Sequence, residues 1–403
     1  MTTITLPPAG SPARIIRDDA DAIATAHHVA ELFRKDASLR DQQRRLPHDE
    51  LDLFSQSGLW AMTVPAEYGG ADVSFVTLTE VIKIVSAADP SLGQLPQNHL
   101  GIVDVIGSTG TPEQKQRFFA EVLAGKRFGN GFSERGTRNV LDLKTRLTAD
   151  GDGFRLNGTK YYSTGALFAH WIPVLALDDE QRGVLAFVER GTPGLTVVDD
   201  WSGFGQRTTA SGTVIADNIA IAPDAVVASY EAYDRPTRNG PLSQIIQAAV
   251  DAGIAHAALD DAIRFVRERS RAWVDSGVER AADDPLTIRE VGDLAIRLHA
   301  ADALLEKAAQ AIDTLPATPS AADIARASVA VAKAKVLTTE AALRAGEKLF
   351  ELAGTQSVLA EHNYDRHWRN ARTHTLHDPV RWKYHLIGNY VLNGVEPARH
   401  AWN

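Results

Sequence analysis

The sequence contains no cysteine. Disulfides, thiol nucleophiles, cysteine-ligated zinc and iron–sulfur clusters are excluded at once. Positive charge is in deficit as well: 42 Lys and Arg stand against 51 Asp and Glu, a formal net charge of -9. A basic face for nucleic acid or an anionic membrane is therefore not expected. Residues 1–14 are Pro-rich and polar with no apolar run, which reads as neither signal peptide nor membrane span. A cytoplasmic enzyme or binding protein is the expectation.

Several chemical signatures are missing too. There is no phosphate-binding loop, and Gly203-Phe204-Gly205 lacks the third glycine and the helix of a dinucleotide fingerprint. No Glu-x-x-His pair suggests a di-iron centre, and no Gly-x-Ser-x-Gly elbow suggests a serine hydrolase. His362 and His367 have neither zinc spacing nor a common helix face, and both are expected at the solvated surface.

What is present is a chain of 403 residues, 44% apolar and 23% charged, long enough for two or three domains. Helical periodicity runs through residues 19–35, 47–58 and 75–85, and a further helix from Pro90-Ser91 is expected to contain His99. Thr111-Pro112-Glu113-Gln114 spells a capping box. After Gly125 come short β-rich runs separated by Asp-Gly, Asn-Gly and Pro-Gly turns, predicting a compact antiparallel β domain, a six- or seven-strand barrel or sandwich. Long amphipathic helices are then predicted over 242–276, 285–315 and 320–353, a C-terminal four-helix bundle completed by a last helix. The expected domains are 1–127 (N-terminal helical), 128–238 (central β) and 239–403 (helical bundle).

That last helix is introduced within the stretch TLHDPVRWK at residues 375–383. Asp378 before Pro379 reads as an N-cap with proline at the first helical position. His377 would then lie beside a helix N-terminus, where the dipole disfavours a second positive charge and keeps the imidazole neutral. Spacing alone does not separate this from a histidine packed at a helix entry.

The ordered combination of motifs resembles the acyl-CoA dehydrogenase superfamily. It rests on PAEYGGAD at 65–72, FGNGFSE at 128–134, LNGTKYYSTGA at 156–166, GFGQRTTASGTV at 203–214 and ELAGTQS at 351–357. Where many dehydrogenases carry a glutamate base before the last helix, this chain reads ARTHTLHDPVRWK at 371–383. That segment, with LHDPVRWKYHLIGNYVLNGVEPARHAW at 376–402, is similar to the reduced-flavin monooxygenases of the dibenzothiophene monooxygenase type and the sulfur-acquisition oxidoreductases.

The resemblance implies a two-component monooxygenase that uses reduced flavin and O2 on a small organosulfur or related compound in sulfur acquisition. FMN from a separate NAD(P)H-dependent reductase is expected, with FAD the open alternative, and a cytoplasmic homotetramer. An FAD-dependent acyl-CoA dehydrogenase with an atypical base is the rival. By the same resemblance His99 and His377 would converge on the flavin ring as catalytic residues, with Asn130 and Ser163 facing it. Ser133, Thr164 and His374 would line the cofactor, and Arg271 with Trp273 would contact its phosphate. Read as residues alone, His99 would be a helix histidine with satisfied partners, Ser163 a turn hydroxyl, and the arginines a solvated face.

Overall fold

The computed structural model describes residues 12–403 together with residues 4, 6 and 7. The N-terminal part is helical: α1 (Asp19–Arg34), α2 (Ala37–Gln43), α3 (His48–Gln56), α4 (Phe75–Ala88), α5 (Pro90–Gln94), α6 (Pro96–Thr109) and α7 (Pro112–Leu123). Local chemistry accounts for several boundaries. Asp18 accepts from Asp21 N–H at the start of α1, and Thr111 with Gln114 forms the predicted capping box on α7. The single helix expected from Pro90 through His99 is broken in two. Pro96 supplies no N–H to continue the ladder, so α5 stops at Gln94 and α6 restarts with Pro96 in its first turn.

The central part contains β1 (Arg146–Asp150), β2 (Gly153–Lys160), β3 (Trp171–Leu177), β4 (Gly183–Glu189), β5 (Leu195–Val198), β6 (Thr213–Ile221) and β7 (Val226–Val227). They form one seven-stranded sheet in the order β5-β6-β2-β1-β3-β4-β7. Two expectations are corrected here. The sheet has edges at β5 and β7 rather than closing into a barrel, and β1 meets β3 in parallel at Arg146 and Leu177. A long excursion, including the turn at residues 162–170, lies between β2 and β3, so β3 need not fold back as a hairpin and arrives on the far side of β1.

A short α8 (Glu231–Asp234) leads into α9 (Asn239–Glu268), α10 (Pro285–Asp313), α11 (Ala321–Ala353), α12 (Asp365–His374) and α13 (Arg381–Asn393). Ser320 and Asp323 form the capping box of α11. The helix expected to reach residue 276 ends at Glu268 instead. Its buried face runs out at Phe265 and Val266, and the apolar residues beyond, Trp273 and Val274, are 69% and 83% exposed.

Two hydrophobic cores organise the molecule. One joins α1, α3, α4 and α5 to α9, α10 and α11, so the first and last helical parts share an interior. The other glues α6 and α7 to the sheet through Phe118, Phe119, Phe128, Phe187 and their neighbours. Helix α9 is buried almost all round and is Ala-rich. At Gly253 an added Cβ would lie 2.5 Å from the Lys83 carbonyl oxygen, so glycine permits the close crossing with α4. Polar side chains on so buried a helix must find partners inside the protein.

Candidate active site

Three such side chains on α9 do find partners, two of them at the end of α12 and the turn that follows. Asp251 is buried, accepts from the Thr339 hydroxyl of α11 at 2.9 Å, and lies 2.6 Å from His374 Nδ1. One helical turn earlier, Gln247 Nε2 lies 3.0 Å from His377 Nδ1. Gln247 Oε1 accepts from the ammonium of buried Lys335, which also pairs with Asp378. Gln244 Nε2 donates to the Ala401 carbonyl at 3.1 Å, tying the C-terminal segment to the same helix.

Asp378 is not an N-cap. Residues 375–380 form successive turns, α13 begins at Arg381, and no side chain caps it. The local Asp-Pro signal is overridden because Lys335 and Lys383 both claim the carboxylate, Lys383 at 3.5 Å. Burial alone would raise the Asp378 pKa, but these two ammonium groups outweigh it and hold the acid below its usual range. His377 is open to solvent on one side and packed on the others. Desolvation and then Lys335 push its imidazole down to about 4, so it is neutral at pH 7 as expected, although for a different reason than a helix dipole.

The β domain supplies the facing wall. Ser163 is 1% exposed and its Oγ has no partner among the described residues. Its backbone N–H donates to Gly212 O, and Gly165 N–H donates to Thr209 O, stitching this turn to the 203–212 loop. Thr164 Oγ1 lies 2.8 Å from Ser211 Oγ and is committed there. Asn130 donates weakly to Tyr162 O at 3.4 Å while its Oδ1 remains buried without a partner. The 203–212 loop is fastened to α12 in turn: Gln206 N–H donates to Asn370 Oδ1 at 2.7 Å, and an added Cβ on Gly205 would lie 1.9 Å from Arg369 O. Asn370 and His374 are four residues apart and share a face of α12. Among the described residues neither polar atom of the Gln206 side chain has a partner, and the same is true of buried His374 Nε2. Gln94 Oε1 completes the set from the end of α5, whose neighbour Leu95 lies against Gly165. Unsatisfied buried polar atoms are costly and uncommon. Six of them, on five residues of interlocked segments, describe a place built to receive a polar ligand.

The remaining expected site residues have different surroundings. His99 is fully buried in α6; its Nε2 lies 2.8 Å from Trp60 O and its Nδ1 accepts from Phe128 N–H at 3.0 Å. Both nitrogens are engaged by backbone, and desolvation pushes its pKa down to about 3. Ser133 is exposed and contributes its carbonyl to Tyr161 N–H. Arg271 and Trp273 are exposed beyond the end of α9, which continues 17 residues past Asp251, about 25 Å at 1.5 Å per residue. His367 is buried rather than solvated, because Asp261 accepts from its Nε2 at 2.7 Å. A cavity of about 430 Å³ lies by His367, Asn370 and Thr208. No group of His, Asp and Glu among the described residues is arranged to hold a metal, and no described helix is long and apolar enough to cross a membrane.

This geometry has relatives. Residues 14–126, 131–219 and 245–382 match the N-terminal, middle and C-terminal domain models of acyl-CoA dehydrogenase. The chain belongs to the acyl-CoA dehydrogenase superfamily. Within that superfamily it is 35% identical to a dibenzothiophene monooxygenase of Rhodococcus erythropolis, over 94% of this chain and 95% of the relative. It is 28% identical to a probable FMNH2-dependent monooxygenase, SfnC, of Pseudomonas putida, over 94% and 96%. The crystal structure of FMN-bound TdsC from Paenibacillus sp. A11-2 superposes with a TM-score of 0.90 at 30% identity, covering 95% of this chain and all of that one. These matches put this superfamily member in the reduced-flavin-dependent monooxygenase branch, an oxidoreductase.

Proposed function

We propose that this chain is the oxygenase of a two-component system. It takes reduced FMN from a separate NAD(P)H-dependent reductase and uses O2 to oxygenate a small organosulfur compound, in sulfur acquisition in the cytoplasm. The observation that carries this reading is the state of the turn after α12. Its carboxylate, Asp378, is neutralised by Lys335 and Lys383, and its accessible titratable group is the neutral imidazole of His377. An enzyme that removes an α-proton needs a free base there; an oxygenase needs hydrogen-bond donors and a proton route in a dry pocket.

The residues present fit a flavin. Asn130 Oδ1, Ser163 Oγ, the Gln206 amide and His374 Nε2 are buried, unpartnered and capable of meeting the heteroatoms of its ring. Bound reduced flavin would supply two electrons, so that one atom of O2 reaches the substrate and the other leaves as water. Around it Asp251 orients His374, Gln247 orients His377, and the shared helical core excludes bulk water. Arg271 and Trp273 lie too far along α9 to complete their own chain's site, which supports their meeting the flavin phosphate of another copy in a homotetramer. FMN in TdsC and the FMNH2 of SfnC favour FMN over FAD. The sulfur compound named for the Rhodococcus relative supports the substrate class.

The test supplies reduced FMN from a reductase under 18O2, with a panel of sulfides, sulfones, sulfinates and acyl-CoAs, and follows products by mass spectrometry. Incorporation of one labelled oxygen into a sulfur compound is expected. Oxidation of an acyl-CoA without label would overturn the reading and favour an FAD-dependent dehydrogenase with an atypical base. Asp251 is a second buried carboxylate beside this turn, and it is committed to His374 and Thr339.

A further inference from the structure

We propose that Lys335 and Gln247 form a relay that fixes the tautomer of His377, so that the ring presents Nε2–H as a donor to the reaction site. The functional part of this inference rests on the monooxygenase reading above; the tautomer itself does not.

The argument follows from what each group can do. A lysine ammonium only donates, and the Lys335 ammonium is directed at Gln247 Oε1. That bond leaves the amide nitrogen of Gln247 to face His377 Nδ1, 3.0 Å away. An amide NH2 cannot accept a hydrogen bond, so Nδ1 must accept and the single proton of the neutral ring sits on Nε2. Amide orientation in a glutamine is ordinarily ambiguous, but here the lysine removes the ambiguity. Lys335 is itself held in place by Asp378, one residue beyond His377, so the turn that carries the histidine also anchors the group that sets its tautomer. The groups facing this relay are Lys335, Lys383, Asp378, His374 and Asp251, and none offers Nδ1 of His377 an alternative acceptor.

A buried ion pair between Lys335 and Asp378 would suffice to pin the turn. The bond from Lys335 to Gln247 is not needed for that purpose, and it gives the pair a second effect. Nor does the sequence disclose it, since Gln247 and Lys335 lie 88 residues apart on different helices.

The experiment is nitrogen NMR on the intact enzyme labelled with [15N]histidine, with the His377 signals identified by their loss in His377→Asn. In the wild-type enzyme near pH 7 the proton is expected on Nε2. Gln247→Glu replaces the donor by an acceptor and is expected to move the proton to Nδ1. Lys335→Met frees the amide and is expected to populate both tautomers. A wild-type proton on Nδ1 overturns the relay whether or not either variant folds; so does an unchanged tautomer in a folded Gln247→Glu. In turnover, Gln247→Glu should lower product per reduced flavin about tenfold, within the range for a misdirected proton donor, with KM changed less than about twofold. A merely structural role would shift the Tm of both variants without moving the proton. If the tautomers behave as expected but the wild-type enzyme oxygenates nothing, the relay stands and the monooxygenase reading falls.

Discussion

His374 Nδ1 and Asp251 Oδ1 stand 2.6 Å apart where α12 crosses α9, and both side chains are only 1% exposed. The carboxylate also accepts from Thr339, so His374 is held with Nε2 aimed away from α9 and free of protein partners. Orientation of this kind is a positioning role. Asp251→Ala would leave buried groups unpaired and cost about 1–3 kcal/mol of stability, read by thermal or denaturant unfolding. Asp251→Asn can still accept from His374 through its amide oxygen. It should lose less stability than the alanine variant while lowering product formed per reduced flavin. Equal coupling in wild type and Asp251→Asn would remove the charge on Asp251 from the mechanism.

Acid should destabilise the fold through His99. Its folded pKa, lowered to about 3, lies below the unfolded value of 6.5, so between these the unfolded chain binds a proton that the folded chain excludes. Stability is fully present above pH 6.5 and is lost as pH falls below it. From pH 6.5 to 5 this one group should cost about 2 kcal/mol. His99→Gln keeps a donor toward Trp60 O and cannot titrate. Its unfolding free energy should start lower but fall less steeply across that interval, by one proton in the pH slope. An unchanged slope would contradict the burial argument.

The β domain depends on a second buried charge pair. Lys160, 1% exposed, meets Glu134 Oε1 at 2.7 Å, and Glu134 also accepts from the backbone of Lys144 and Thr145. Desolvation pushes Lys160 down to about 8, while its partners hold Glu134 down to about 2 against the same burial. Lys160→Met should cost about 3–5 kcal/mol because it strands a buried carboxylate. The double variant Lys160→Met, Glu134→Gln should recover much of that loss. If the double variant is no more stable than the single, the stranded charge is not the cause.

The contrast between these sites shows how far a sequence can be read. Capping boxes at Thr111 and Ser320 were legible because four adjacent residues contain the whole interaction. The helical–β–helical order followed from periodicity and turn chemistry in the same way. Asp378 misled because Asp-Pro is a local signal, and two lysines from α11 and α13 outbid it. The partners of His99, Trp60 O and Phe128 N–H, come from segments 39 and 29 residues away, which spacing within its own helix does not disclose. Asn130, Ser163, His374 and His377 enter the candidate site only through motif resemblance. Gln94, Gln206, Gln247, Asp251 and Lys335 were missed. On an Ala-rich helix Gln247 and Asp251 look like an ordinary polar face, and only the packing of α12 and α11 against α9 reveals what they serve. A usable signal was the depth at which they sit in an otherwise apolar run, 245–255, where a polar residue has to find a partner.

His377 and His374, three residues apart, should separate stability from coupling. His377 is open to solvent, and among the described residues its ring has one hydrogen bond, to Gln247. Truncation to alanine therefore leaves no buried charge unpaired, apart from loosening an amide that Lys335 still holds, and unfolding should shift by less than about 1 kcal/mol. His374 is the opposite case, since His374→Ala strips the buried Asp251 carboxylate of its imidazole donor and should cost about 2–4 kcal/mol. Turnover should show a different order. With reduced FMN supplied, His377→Ala should release most reducing equivalents as hydrogen peroxide, and product per reduced flavin should fall about tenfold to a hundredfold. Oxygen uptake, peroxide and product measured together decide the matter. A His377→Ala enzyme as stable and as tightly coupled as the wild type would remove that imidazole from the reaction and leave His374 as the histidine that matters.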